Sequence, residues 1–361
     1  MQPDHHLYVS ESLTDSDWDT FVAGTSGGHH VQTCCWARIK STLGWQAIRV
    51  FVANGERIIA GAQLLIRPIP LVGSVGYVSK GPLISDKNRE LAALVLENIM
   101  QQAQQRRCQL LVIQPPNNGG YLSHALESLR FHASTFELAP TASLVIELSQ
   151  GPQLIMEGLK RETRRNIGRS ERAGIIVKEG GATDLATFYD LYRVTARRQG
   201  FTPYQRHYFD ALWHSLAPRG WISLLLACHE NEAVAAQLLI TFGDSVIAKM
   251  VGWSGGHSKC YPNEALLWAS IMWAFSHGYK TFDFEGLDLP GARARLNGRA
   301  FSTPSIDKFK YGFGGEVVLY PSAYDYLPNK MFDLFYRRMP GFISKERATD
   351  RIVERLRKRR R

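Results

Sequence analysis

The sequence predicts an α+β protein built from two copies of one domain plan, and three observations lead to that reading. The pentapeptide Ala62-Gln63-Leu64-Leu65-Ile66 recurs as Ala236-Gln237-Leu238-Leu239-Ile240. A longer segment with apolar residues at helical spacing follows each copy, holding Ile99-Met100 in the first and Ile271-Met272 in the second. A short apolar run then closes each, at residues 110–113 and 282–284. A single five-residue match carries little weight. Three elements in one order at nearly constant separation point to duplication.

In the first copy, residues 36–43 read as a helix stopped by Gly44. Residues 47–53 and 57–66 read as two strands, and Asn54-Gly55 between them is a strong hairpin signal. Residues 89–107 carry apolar side chains at helical spacing, and 110–113 suit a buried strand. The linking region offers helices at 158–173, 185–198 and 208–216. The second copy repeats the order, with strands at 221–228, 233–241 and 246–253 and a turn near Asn231. A helix at 264–277 ends at Gly278, a natural stop, before a strand at 281–284. Helices packed on mixed, mostly antiparallel sheets make an α+β arrangement. Helix, hairpin, helix, strand is the element order of acetyltransferase-like domains, so two of them in tandem are expected.

At 361 residues the chain has room for two sizeable cores. A hydrophobic content of 45% against 21% charged excludes a disordered chain. The polar, acidic start, residues 1–19, lacks a basic stretch followed by an apolar run, so no secretory signal is expected. No apolar run reaches the roughly 18 residues of a membrane span. Five scattered cysteines argue for free thiols in a reducing compartment, hence a cytoplasmic protein. Cys34-Cys35 near His29-His30 invites a metal reading, but the spacing matches no ordinary zinc pattern. No metal or redox cofactor is expected.

The formal charge of +10 is concentrated. Residues 160–178 hold seven basic and two acidic side chains, and residues 345–361 hold nine and three, leaving the remainder near neutral. Two local sites for polyanions follow, rather than a generally basic surface. In the first, Arg161, Arg164, Arg165, Arg169 and Arg172 recur at three- and four-residue steps along one helix side, a stripe suited to an RNA backbone. The second repeats acid–base pairs at four-residue steps and ends in Arg357-Lys358-Arg359-Arg360-Arg361, suited to an anionic membrane surface, to tRNA or simply to solvent.

Several motifs together resemble the Fem (FemABX) family of non-ribosomal peptidyl transferases. Gln32, Trp36 and Lys40, with Gly44-Trp45 after them, follow its early pattern. Arg164, Asn166, Ile167, Arg172 and Gly174 resemble its basic helix. Pro262, Leu266, Trp268, Gly278, Phe282-Asp283-Phe284 and Gly286 resemble its later helix and strand, and Phe309-Lys310 with Phe313-Gly314 resembles its Phe-Lys signature. The resemblance implies two tandem acetyltransferase-like (GNAT) domains: residues 1–147, rejoined by 317–361, and residues 148–316. It implies the short form without the coiled-coil arm. It also implies an aminoacyl-tRNA donor and a lipid- or nucleotide-linked cell-wall precursor whose amine accepts the amino acid.

The resemblance gives candidate residues their roles. Lys310, which alternation with Phe309 places on a strand, would steady negative charge at the ester, with Phe309 beside it. Lys40 would contact precursor phosphate, as would Arg206 near Tyr204 at a helix start; each reads equally as an ordinary surface cation. Asp283 and Glu285, taken as sharing one strand face, could remove a proton from the amine or could cap loops and pair with Arg293 and Arg295. Gln114 stands before Pro115 where some members have an aspartate, so proton removal falls to Asp283, to substrate phosphate or to water. Met250 and Val251 replace tyrosines of the family. Residues 165–170 approach a coenzyme A phosphate loop but end in serine and lie inside a helix, a coincidental match. The alternatives are an acyl-coenzyme A-dependent N-acyltransferase and a non-catalytic RNA- or membrane-binding protein on the same scaffold.

Overall fold

A computed structural model describes residues 5–134 and 138–328. The chain forms two compact units, one running to Thr141 and resuming at Tyr320, the other Ala142–Leu319.

In the first unit the order is β1 (His5–Ser10), α1 (Ser16–Gly24), α2 (Cys34–Ser41), β2 (Gln46–Asn54), β3 (Arg57–Ile69), β4 (Gly73–Ser79), β5 (Leu83–Ile84), α3 (Arg89–Gln105), β6 (Cys108–Gln114), α4 (Ser123–Ser128) and β7 (His132–Ala133). The second unit continues with β8 (Ala142–Glu147), α5 (Pro152–Gly158), α6 (Arg161–Arg172), β9 (Ile176–Gly180), α7 (Leu185–Gln199), α8 (Arg206–Leu216), β10 (Ile222–His229), β11 (Glu232–Phe242), β12 (Ser245–Trp253), α9 (Pro262–Ser276), β13 (Thr281–Asp283), α10 (Leu289–Leu296), α11 (Ser305–Lys310) and β14 (Glu316–Leu319). The chain then supplies β15 (Tyr324–Tyr326) to the first sheet.

The two sheets are copies. The first runs β1-β2-β3-β4-β6-β15-β7, with β5 on β3; the second, read from its opposite edge, runs β9-β10-β11-β12-β13-β8-β14. In each, three antiparallel strands are followed by one parallel pair, β4 with β6 and β12 with β13. The crossover helices α3 and α9 bury Ile99 and Ile271 completely. The repeated pentapeptide lies on β3 and β11, the third strand of each series. The predicted α+β fold with mixed sheets flanked by helices is therefore the one observed.

Local chemistry explains the boundaries. Asn88 caps α3 by accepting from the backbone N–H groups of Glu90 and Leu91 at 2.8 and 3.1 Å. Gly44 and Gly278, at φ +79° and +78°, let the chain turn away after α2 and α9. The β10–β11 hairpin turns on Glu230 and Asn231, both with positive φ, as a two-residue turn of matching twist requires.

Two expectations need correction. Residues 305–310 are helical, because Ile306 and Phe309 repeat at i, i+3 behind Pro304; the Phe309-Lys310 alternation is too short to specify a strand. Strand β13 ends at Asp283, and Glu285 beyond it has φ +44°, so the two do not share a strand face. The helix expected over 158–173 is α6, which begins at Arg161, with the separate short α5 before it. Among the described residues no helix is long and apolar enough to cross a membrane. The basic tail at 345–361 lies outside the described residues.

Candidate active site in the second unit

The end of β13 and the end of α11 meet over a cavity of about 550 Å³ in the second unit. Its wall includes Lys249, Phe284, Glu285, Phe309 and Lys310. After β13 the backbone enters the left-handed region at Glu285 and again at Gly286, φ +44° and +89°. The carbonyls of this turn accept hydrogen bonds from Nζ of Lys310, at 3.0 Å from Glu285 and also from Gly286. An ammonium has three N–H donors, so one remains for a ligand. Burial pulls the Lys310 pKa below its ordinary value of 10.5, while Asp307, Glu285 and Asp283 oppose that shift.

Helix α11 is held to the same turn at its other end. The buried Asp307 carboxylate accepts from the backbone N–H of Asp288 at 2.8 Å. Two attachments, one at each end of the segment 285–288, fix the direction from which Lys310 approaches the cavity.

Glu285 is fixed as firmly. Its backbone N–H donates to Oδ1 of Asp283 at 2.7 Å, and that oxygen also accepts from the Ser143 hydroxyl. Its carboxylate pairs with Lys249, both side chains being about four-fifths buried. Lys249 reaches it because β12 is bulged there: Leu238 pairs with Met250 and Leu239 with Ala248, leaving Lys249 as the extra residue. A bulge re-aims a side chain that a regular ladder would send elsewhere.

The remaining candidates are dispersed. Asp283 stands behind Glu285 and is not among the cavity-lining residues. Tyr204 stacks on Tyr208 with ring centroids 4.2 Å apart, and Arg206 pairs with Asp210 at 3.0 Å, both at the start of α8. Lys40, in the first unit, sits over the Trp36 ring at 5.1 Å. The five arginines of α6 are all exposed. Arg164 is engaged, donating to the carbonyls of Glu157 and Leu159 at 2.7 and 2.8 Å, and Arg169 donates to the Tyr261 hydroxyl at 3.2 Å. Arg295 lies over the Tyr311 ring at 4.4 Å instead of against a carboxylate of the pair.

Gln114 is completely buried. Its amide donates to the carbonyls of Ala139 and Pro321 at 3.0 and 3.3 Å and accepts from the Ala139 N–H at 2.8 Å. It ties the returning segment to the first unit. His30, Cys34 and Cys35 are buried in the core, and desolvation raises the Cys34 thiol to about 12, which opposes the thiolate a metal needs.

Sequence reasoning missed Lys249, Asp307 and Gln237. Lys249 is the lone charge within Val246-Ile247-Ala248-Lys249-Met250-Val251, a signal present but unread. Asp307 stands beside Lys308 in an ordinary mixed stretch and carries no such signal. Gln237 lines the cavity and accepts from the Ser270 hydroxyl at 3.0 Å. Its counterpart Gln63 in the first copy is consumed in holding the backbone of Val31 and Thr33.

Two such units in one chain define a tandem acetyltransferase-like protein, with the charged cavity in the second. A tandem GNAT protein from the clavulanic acid biosynthesis pathway has the same fold, with a TM-score of 0.57 at 11% identity over 90% of this chain and 99% of that one. A crystal structure of FemX matches at a TM-score of 0.78 and 18% identity, over 92% of this chain and all of that one. The FemAB family model matches residues 13–229, more than half of the sequence, and the chain belongs to the FemAB family. It is 26% identical over 238 residues to a lipid II:glycine glycyltransferase of Staphylococcus saprophyticus, covering 63% of this chain and 57% of that protein. To the lipid II:glycine glycyltransferase of Staphylococcus aureus it is 24% identical over 225 residues, covering 59% and 53%. The chain thus spans about half the length of the curated relatives it matches.

Proposed function

We propose that the protein is an aminoacyltransferase that moves an amino acid from an aminoacyl-tRNA to an amine on a lipid-linked peptidoglycan precursor. The observation that carries this reading is Lys310, a partly buried cation held by two carbonyls beside a cavity. The two relatives named as lipid II:glycine glycyltransferases support the acceptor class. The arginines of α6 support an RNA donor, with Lys40 and Arg206 as contacts for acceptor phosphate. Such a donor belongs to the cytoplasm, and such an acceptor to the membrane's cytoplasmic face.

In the proposed step the acceptor nitrogen attacks the ester carbonyl carbon. Negative charge gathers on the carbonyl oxygen, where the partly desolvated Lys310 ammonium opposes it. The ester C–O bond then breaks, an amide remains, and the terminal ribose oxygen leaves. The amine's proton goes to the Glu285 carboxylate and is returned to the departing oxygen. Lys249 holds and aims the Glu285 carboxylate, and Asp283 acts as a positioning residue through the Glu285 backbone.

The test supplies charged tRNA or acetyl-coenzyme A with the same panel of amines and precursors. Transfer from charged tRNA alone is expected. Transfer from acetyl-coenzyme A alone would overturn the donor assignment.

A further inference from the structure

We propose that His229, His257 and Cys260 form a zinc-binding site in the second unit, separate from the cavity. His229 is the last residue of β10, His257 follows β12, and Cys260 closes the single 3-10 turn Ser258–Cys260. One ligand atom from each lies within 4.8 Å of the other two. The two imidazole centroids are 4.7 Å apart. Zinc bonds of about 2.0–2.3 Å place tetrahedral donors roughly 3.3–3.7 Å from one another, a gap that side-chain rotation closes.

The frame that holds these donors is already built. The Cys260 N–H donates to the His257 carbonyl at 2.9 Å, so the His-x-x-Cys pair is fixed within one turn. The Ser254 N–H donates to the Val234 carbonyl at 2.9 Å, and Trp253 Nε1 to the Gly256 carbonyl at 3.0 Å, anchoring the loop to the sheet. His229 and Cys260 are partly buried and His257 is exposed, which leaves an entry path and room for water as a fourth ligand.

Donor chemistry selects the metal. Two imidazoles and a thiolate suit zinc and repel the oxygen-seeking calcium and magnesium ions. A closely spaced pair joined by a third donor from a separate strand gives a three-ligand site with one open position. Bound there, zinc would link the end of β10 to the loop entering α9. That helix contributes Asn263, Leu266 and Leu267 to the cavity wall, so the metal would stiffen one side of the site.

The experiment uses the full chain stripped with a chelator, then titrated with zinc against a chromophoric competitor and separately loaded with cobalt(II). One zinc per chain, a raised Tm and a near-ultraviolet thiolate-to-cobalt band are expected. Cys260→Ser should abolish the band, and it or His257→Ala, an exposed position whose change leaves the fold intact, should weaken zinc binding at least about 100-fold. Cys228→Ser, removing the thiol next to His229 on β10, should change neither. Failure to bind zinc at micromolar concentrations, or stoichiometric binding that survives both Cys260→Ser and His257→Ala, would overturn the site.

Discussion

Nζ of Lys310 donates to the backbone carbonyl of Glu285 at 3.0 Å, while the Glu285 carboxylate pairs with Lys249. One residue thus positions the cation through its main chain and offers the carboxylate through its side chain. The left-handed backbone at Glu285 makes this division possible, since a continued strand would carry the 285 carbonyl into ladder pairing. Lys310 and Glu285 are consequently set by one turn and one short helix.

Removing that cation should abolish transfer without unfolding the chain. Lys310→Ala is expected to lower kcat by about 10²–10³, the usual cost of one lost oxyanion donor, with circular dichroism unchanged. Near-normal turnover in this variant would remove Lys310 from the mechanism.

The same residue should set the alkaline limit of activity. Burial lowers its pKa, so the ammonium is lost at a pH below 10.5 and kcat falls there. Lys310→Arg retains a cation at all working pH values and should move that limb upward, though with lower activity because the guanidinium is broader. Stability runs oppositely: between the lowered native pKa and the unfolded 10.5, the unfolded chain binds more protons, so stability rises with pH. Lys310→Met should remove that rise. Parallel pH profiles of kcat and of denaturant midpoint check both signs, after subtraction of uncatalysed ester hydrolysis.

Glu285 and Lys249 should separate by magnitude. Glu285→Gln retains size and polarity but cannot take a proton, so kcat should fall by about 10²–10⁴. Lys249→Met removes only the carboxylate's partner and should cost less. Equal small effects from both would mean that the pair serves packing alone.

Much of this fold is written in periodicity that one chain displays openly. Ala62–Ile66 and Ala236–Ile240 mark equivalent buried strands, and Asn54-Gly55 marks the hairpin, because turn chemistry and burial are local properties. The site was less legible. The Phe-Lys motif marks Lys310 but not its helix, since the six residues of α11 give too few turns to reveal a period. Lys249 is re-aimed by a bulge, and register against a partner strand cannot be read from the strand itself. His229 comes beside His257 and Cys260 only through sheet pairing.

Gln114 offers a test of structure against chemistry. Its amide makes three buried hydrogen bonds to Ala139 and Pro321, so Gln114→Leu should destabilise the chain by about 2–4 kcal/mol. The kcat of the folded fraction should remain within about twofold. A large kcat loss at full stability would instead place Gln114 in the reaction.

The arginines of α6 are not equivalent, and salt dependence should distinguish them. Arg164 spends its guanidinium on carbonyls at the end of α5, and Arg164→Ala should lower stability by on the order of 1 kcal/mol. Arg161 and Arg165 are exposed on the same helix. If they meet phosphates, each neutralisation releases fewer counterions on binding, so the slope of log K against log salt should shrink by roughly 0.7–0.9 per residue. Arg161→Gln and Arg165→Gln should therefore weaken tRNA binding most at low salt and leave Tm unchanged. A salt slope identical to that of the unaltered chain would remove this face of α6 from the RNA contact, whatever the donor proves to be.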